Sequence, residues 1–369
     1  MKFFKLSITV AAMAVSFSAV AGINIIDNEK GSFSIGGDVE FDLNYEEKSD
    51  ASSGEDDSHF DQTGRILLEF AGERKTESGH YLKFKAEPLM DTSGEVELDD
   101  SWFSFGMKDS WELRLGRFEA YDMFPVGQDT FLEYSGDTAN DLYTDNAGYM
   151  YQLKEGRGRG GQAGQVMYNH TFGNLYTEVS TMVGDRSELF ADTYHGKVLE
   201  ASSDSIIVRP VVAYQMNNFR LAAAMEANLV KDAVIFADGS DGDVGNRIGY
   251  GLTANYTKND LSVDVNAAYL DALNETDSTL AMNVLWKGFG LGYIYGVNDF
   301  DAASGWHDGK VEVQTVYSSY EFADIFDVND FSIYLGIYHT NLTDKGVSLA
   351  SNFAEGDDFG GRVRFKYFF

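Results

Sequence analysis

Charged groups and aromatic rings are the chemistry this chain carries in quantity. Against 28 Lys and Arg stand 59 Asp and Glu, giving a formal net charge of −31. That balance argues against a general nucleic-acid binder. Cysteine is absent, which removes thiol chemistry and any disulfide scaffold. The six histidines, His59, His80, His170, His195, His307 and His339, scatter without zinc-ligand spacing. No Ser/His or Asp/His grouping has a spacing that would activate a nucleophile, so an enzyme is not expected. Gly156–Gly161 contains a G-x-G-x-x-G string, but it sits in a Gly-rich, arginine-bearing stretch rather than between a strand and a helix. Asp238–Gly245 is acidic yet lacks the spacing and closing Glu of a calcium loop. No cofactor or metal is expected. What remains is non-covalent: charges and rings that act by where they point.

The chain's end shows how they point. In Arg362–Phe369, Val363, Phe365, Tyr367 and Phe369 share one strand face, while Arg362, Arg364 and Lys366 share the other. Lipid outside and water inside a transmembrane barrel require that alternation, with aromatics at the interface. The same period recurs upstream. Phe33, Ile35, Val39, Phe41, Leu43 and Tyr45 oppose Ser34, Asp38, Glu40, Asp42 and Asn44. Ile66, Leu68 and Phe70 oppose Arg65 and Glu69, and Leu82, Phe84 and Ala86 oppose Lys83 and Lys85. Phe103 and Phe105 oppose Trp102 and Ser104, and Trp111, Leu113 and Leu115 oppose Glu112 and Arg114.

Tight hairpins follow, with turns at Phe172-Gly173-Asn174, Asn217-Asn218, Lys258-Asn259-Asp260 and Lys287-Gly288. They alternate with longer acidic connections over Glu46–Asp61, Gly184–Ser205, Leu229–Asn246, Asn298–Gly309 and Leu342–Asp358. Short periplasmic turns and long extracellular loops are the mark of an outer-membrane barrel, here of about 16 strands. No stretch after the N-terminus is apolar enough for a spanning helix, and backbone groups in lipid can otherwise be satisfied only by a closed barrel. Residues 1–21 read as a signal peptide: Lys2 and Lys5, an apolar Leu6–Phe17, then Ala19-Val20-Ala21. The fold class is all-β, one antiparallel transmembrane barrel over 22–369. Outer-membrane lipid and lipopolysaccharide are its expected surroundings. Trp111 and Trp286, beside short turns, read as interfacial girdle residues.

One connection differs. Phe118–Tyr134 is too rich in apolar rings for a surface loop, and long loops in compact folds are usually functional. It follows Arg114-Leu115-Gly116-Arg117 and carries Pro125 and Gly127. With the terminal Phe strand, these pieces resemble the 16-stranded bacterial porins across the whole mature chain. The resemblance implies a third loop inserted into the barrel, whose acids face basic residues on the opposite wall. It also implies a homotrimer, handling of the last strand by the barrel-assembly machinery, and passage of small hydrophilic solutes. The Pro-Glu-Phe-Gly-Gly loop motif of the best-known enterobacterial general porins is missing. Gly116-Arg-Phe-Glu-Ala120 and Phe124-Pro-Val-Gly-Gln-Asp129 look more like the sugar-facilitating branch near the raffinose porin.

On that reading the constriction acids are Glu119, Asp122, Asp129 and Glu133, and the basic wall is Arg65, Lys83, Lys85, Arg114, Arg362 and Arg364. Facing rows of opposite charge focus a transverse field in a narrow aqueous passage. Trp102, Tyr121, Phe124 and Tyr134 are the candidates for stacking on sugar rings. Each assignment has a plainer alternative. The acids equally serve to pin the loop, and the loop rings to pack it on the wall. Arg362 and Arg364 equally neutralise Asp38, Glu40 and Asp42, and Arg65 could pair with Glu69. A non-specific diffusion pore with mild cation preference is the alternative function.

Overall fold

The computed structural model describes residues 22–50, 55–125, 150–153, 165–186, 193–302, 309–345 and 356–369, in backbone only at 48–50, 55–57 and 344–345. The 1–21 leader, Asp129, Glu133, Tyr134 and the Gly156–Gly161 string lie outside the described residues.

One 17-stranded antiparallel sheet dominates. It begins with β1 (Ile23–Asn28), β2 (Gly31–Asp50), β3 (Glu55–Lys75), β4 (His80–Asp91), β5 (Val96–Met107), β6 (Trp111–Arg117), β7 (Gln165–Phe172) and β8 (Leu175–Gly184). Two short strands follow, β9 (Thr193–Tyr194) and β10 (Lys197–Ala201), then β11 (Ser205–Met216), β12 (Phe219–Asn228) and a third short one, β13 (Val234–Phe236). The chain ends with β14 (Ile248–Lys258), β15 (Leu261–Ala272), β16 (Glu275–Trp286), β17 (Phe289–Phe300), β18 (Gly309–Phe322), β19 (Phe331–Lys345) and β20 (Gly356–Phe368).

The sheet closes on itself. β2 pairs β20 over Asp38–Asp50, and β8 pairs β11 across the gap left by the short strands. β1 pairs Gly31–Ile35 on the same edge of β2, end to end with β20. The two occupy one position around the circle, so the barrel has 16 staves. The terminal residue locks the seam: the Gly37 and Phe369 backbones exchange N–H···O bonds of 3.1 Å each.

Alternation sorts the side chains as lipid and water demand. Along β14, Tyr250, Leu252 and Tyr256 point outward and Gly249, Gly251 and Thr253 inward, with the same parity in register on β12 and β15. Outward rings gather beside the short turns. Phe105 meets Trp111 edge-on at 5.8 Å, Phe219 lies 4.7 Å from Tyr256, and Tyr320 lies 4.7 Å from Phe322. Trp111 and Trp286 belong to this girdle, and Trp286 carries Lys287 over its ring at 5.2 Å. An amphipathic ring with a cation beside it suits the headgroup level.

Several boundaries differ from the sequence reading; β19 runs on to Lys345 and β20 begins at Gly356, both inside the expected loop Leu342–Asp358. The expected loop Glu46–Asp61 is mostly strand, since β2 runs to Asp50 and β3 begins at Glu55. Polar residues there alternate with few apolar ones, a pattern that reads as loop, yet the backbone pairing of β2 with β3 continues through it. β1 lies ahead of the first expected strand. The connections Gly184–Ser205 and Leu229–Asn246 are not plain loops: they supply β9, β10 and β13, a separate three-stranded sheet.

Outward Leu252 is 61% exposed and sits mid-strand. Leu252→Arg should lower barrel stability by about 2–4 kcal/mol, the cost of a cation near the bilayer midplane. Equilibrium urea unfolding in lipid vesicles measures this. A change under about 0.5 kcal/mol, as for an ordinary surface substitution, would place β14 in the opposite register.

Candidate functional site: a loop folded into the lumen

The third long connection leaves β6 by turning into the barrel. Gly116 has φ +127°, and a Cβ there would lie 2.2 Å from the Ser101 carbonyl oxygen, so this strand end requires glycine. Arg117 then donates from Nε to the Asp99 carbonyl at 2.6 Å. Beyond it, Phe118, Ala120 and Met123 are buried while Glu119 and Asp122 are exposed, so the acids point away from the wall on which the loop packs.

That wall holds the loop by its backbone. Gln165 Nε2 donates to the Phe118 carbonyl, and Arg209 Nη2 donates to Tyr121 O at 2.5 Å. Tyr121 N–H donates to Glu178 Oε1 at 3.2 Å. Thr253 Oγ1 and Asn266 Nδ2 both donate to the Met123 carbonyl, and Asn283 Nδ2 reaches the Pro125 carbonyl at 3.5 Å. These donors lie in order round the barrel, on β7, β11, β14, β15 and β16, so the loop crosses the inner surface. The returning chain is anchored too. Tyr151 donates its hydroxyl to Glu226 at 2.7 Å, and Tyr151 and Leu153 sit over glycines of β14. A Cβ on Gly249 would meet the Tyr151 hydroxyl at 1.8 Å. Small inward residues, Ala213, Ala222 and Ala268 with Gly249 and Gly251, make the room.

The opposite wall, β2 to β6 with β20, carries charge. Arg65 lies 3.2 Å from both Asp38 and Glu40 and 3.9 Å from Asp99. Lys85 lies 2.7 Å from Glu87, 3.3 Å from Glu69 and 3.6 Å from Asp100. Arg364 donates two 2.8 Å bonds to the Asp42 carboxylate. Arg362 Nε donates to Asn44 Oδ1 at 2.6 Å and lies 3.6 Å from Asp42. Lys366 lies 2.7 Å from Glu40. The described cations of the expected basic wall are inward by strand parity, and Arg65, Lys85, Arg362 and Arg364 each lie against carboxylates of the same wall. Arg65 does not pair with Glu69, because the partner for each lies across the register on a neighbouring strand.

Two of the four rings considered for stacking are covered. Trp102 faces the lumen but is 7% exposed, with the Arg114 guanidinium 4.4 Å over its ring. Arg114 also lies 5.4 Å over Phe118 and donates to Glu112 at 2.7 Å, so it fastens the loop's root. Phe124 is 4% exposed, packed with Ile294, Val313, Tyr317 and Tyr338. Tyr121 is partly buried, 5.6 Å from the ring of Tyr176. Lys83 sits over the Tyr81 ring at 4.3 Å. Asp122 accepts the Phe124 N–H at 2.7 Å.

A sequence profile of the family described as porin-like glycoporin RafY matches residues 35–369. The chain belongs to that porin family. Solved structures share its fold at low identity. OmpF of Salmonella typhi is 13% identical with a TM-score of 0.64, covering 94% of this chain and 100% of that one. An anion-selective porin from Comamonas acidovorans is 14% identical with a TM-score of 0.58, covering 92% and 100%. OmpT of Vibrio cholerae is 12% identical with a TM-score of 0.57, covering 93% and 99%. No curated protein sequence matches the chain. This porin is an outer-membrane channel of a Gram-negative bacterium.

Sequence reasoning missed the loop's anchors, Glu178, Arg209, Thr253, Asn266 and Tyr151, and it set Lys366 on the inner face without counting it in the basic wall. A signal existed: inward positions of β11 to β15 are small or uncharged polar far more often than on the opposite wall.

Thr253→Val combined with Asn266→Leu strips both donors from the Met123 carbonyl. An unpaired buried carbonyl costs about 1–3 kcal/mol, so the loop of the porin should loosen. Single-channel recordings should show added current noise and a higher mean conductance. Traces indistinguishable from wild type would remove these bonds from the loop's support.

Proposed function

We propose that this porin passes small hydrophilic solutes by passive diffusion and favours neutral sugars and oligosaccharides. One observation carries the reading: the wall opposite the loop is a ladder of paired carboxylates and cations, with side chains of Arg362, Arg364 and Lys366 only 12–15% exposed. Such a wall offers donors and acceptors side by side. A sugar hydroxyl, donor and acceptor at once, fits that spacing better than an ion does. The family description, a glycoporin, supports the same class. Because Trp102 and Phe124 are covered, hydroxyl contacts along the wall take precedence over ring stacking on those two.

A cation bias accompanies this role. Glu119 and Asp122 are exposed on the loop, and carboxylates outnumber cations in the chain by 59 to 28. We also assign residues 1–21 to a cleaved leader and the assembly to a homotrimer, on the family resemblance. A monomer by native mass measurement in mild detergent would count against the trimer.

Planar-bilayer recordings with graded mono- and oligosaccharides test the function. Concentration-dependent blockade is expected, growing with oligosaccharide length until the chain spans the wall. Linear conductance untouched by every sugar would leave a non-specific pore. Reversal potentials in a salt gradient should show cation preference at low salt, fading as screening shortens the field. Glu119→Gln with Asp122→Asn should bring the permeability ratio toward unity, and removing 118–134 should raise conductance. Anion preference in the native protein would refute the charge assignment.

A further inference from the structure

Strands β9, β10 and β13 form a sheet of their own, not hydrogen-bonded into the barrel wall. It is built from two long connections. β10 pairs β9 through Lys197↔Tyr194 and Val198↔Thr193, and pairs β13 through Leu199↔Phe236, Glu200↔Ile235 and Ala201↔Val234. The β9–β10 turn is His195-Gly196, with φ of 50° and 73°, the left-handed pair that closes a two-residue hairpin. At such a tip the His195 side chain should point into water. Instead it is 1% exposed.

His195 Nε2 lies 2.7 Å from Glu275 Oε2, whose side chain is 4% exposed. Its ring stacks on Tyr194 at 3.9 Å and meets Phe300 edge-on at 5.6 Å. Tyr194 donates its hydroxyl to the Leu273 carbonyl at 2.7 Å. Glu275 and Phe300 are cross-strand partners on β16 and β17, and both face the lumen. Val234, Phe236 and Tyr194 join one apolar cluster with inward Ile207, Ala268 and Leu270, continuous with Tyr151 and Leu153 of the inserted loop. The sheet therefore lies inside the rim.

Its reach follows from connectivity. The hairpin is rooted between β8 and β11, and its tip docks on β16, four staves further round. At about 4.8 Å per inter-strand step, it spans roughly 20 Å of rim at the long-loop end. A folded sheet across that arc narrows the mouth before a solute meets the third loop.

We propose that this sheet is an outer sieve of the channel, and that His195 and Glu275 are the positioning residues that seat it. The pair limits the size of solutes entering from the long-loop end. The substrate class concerned is elongated neutral polyols, oligosaccharide-like chains that must thread the mouth. The inference rests on the channel itself and not on the sugar preference above.

Neutral polyethylene glycols of graded size, added to one side of single channels in a planar bilayer, read each mouth separately. His195→Ala and Glu275→Ala should both shift the exclusion limit to larger polymers from the long-loop side. The limit from the short-turn side should not move. Glu275→Gln keeps a neutral hydrogen bond to the imidazole and should retain the native limit. Heat-modifiable migration on a gel establishes that each barrel is folded. If the alanine variants do not fold, replacing 193–201 with a short Gly-Ser linker provides the same measurement. A native limit from the long-loop side in a folded variant overturns the proposal. An equal shift from both sides also overturns it, because the third loop would then be what moved.

Discussion

Everything in this molecule depends on the hydrogen-bond closure between β2 and β20. In lipid an unpaired backbone group costs several kcal/mol, so the sheet can have no edge at membrane depth. The seam meets that demand with a continuous antiparallel register from Asp38 to Asp50, finished by the reciprocal Gly37–Phe369 pair. Once the circle closes, each residue's parity decides whether it meets lipid or water. The side-chain ladder reinforces the choice: Arg362, Arg364 and Lys366 on β20 lie beside Asp42 and Glu40 on β2 only in this register. A slip of one residue would turn the cations to lipid and the aromatic row to water.

Closure leaves an interior that the chain then divides. On β11 to β16 many inward positions are alanine, glycine and uncharged polar groups, which can accept a backbone, and charged ones such as Arg209, Glu226 and Glu275 bond the loop or the short sheet. The inserted loop packs on that half, with the carbonyls of Phe118, Tyr121, Met123 and Pro125 meeting wall donors, and its buried rings supply apolar contact. On β2 to β6 and β20 most inward positions are ionic, and the described part of the loop covers only the β5–β6 end of them, where Phe118 meets Arg114 and Trp102. The same parity rule thus makes both the filled half and the wet half. The division lies in which residues were placed on the inner face.

How much of this was legible follows from the range of each interaction. Strand alternation is local, so the facing of Trp102, Arg114, Lys85 and Arg364 could be read from two-residue spacing. The partners could not. Arg65 meets Asp38 and Glu40 rather than Glu69 because a side chain's nearest neighbour in a sheet is set by cross-strand register, which local sequence does not contain. Arg114 covers Trp102 for the same reason, twelve residues apart in sequence but adjacent on β5 and β6. Strands β9, β10 and β13 escaped because two to five residues are too few for a period to show. The loop's ingress was legible because its apolar rings had nowhere else to go.

The charged wall constrains what the pore can do with its field. A carboxylate lining a low-dielectric wall carries a desolvation cost, which a bonded cation offsets. Interleaving Asp38, Glu40 and Asp42 with Arg65, Arg364 and Lys366 satisfies that requirement on the wall itself. The consequence is electrostatic. Compensated pairs have dipolar fields that fade within a few ångströms, whereas separated rows of opposite sign would span the lumen. The contacts that seat the seam therefore also set what the wall presents to the passage: donors and acceptors side by side, with each cation of β20 held against a carboxylate of β2.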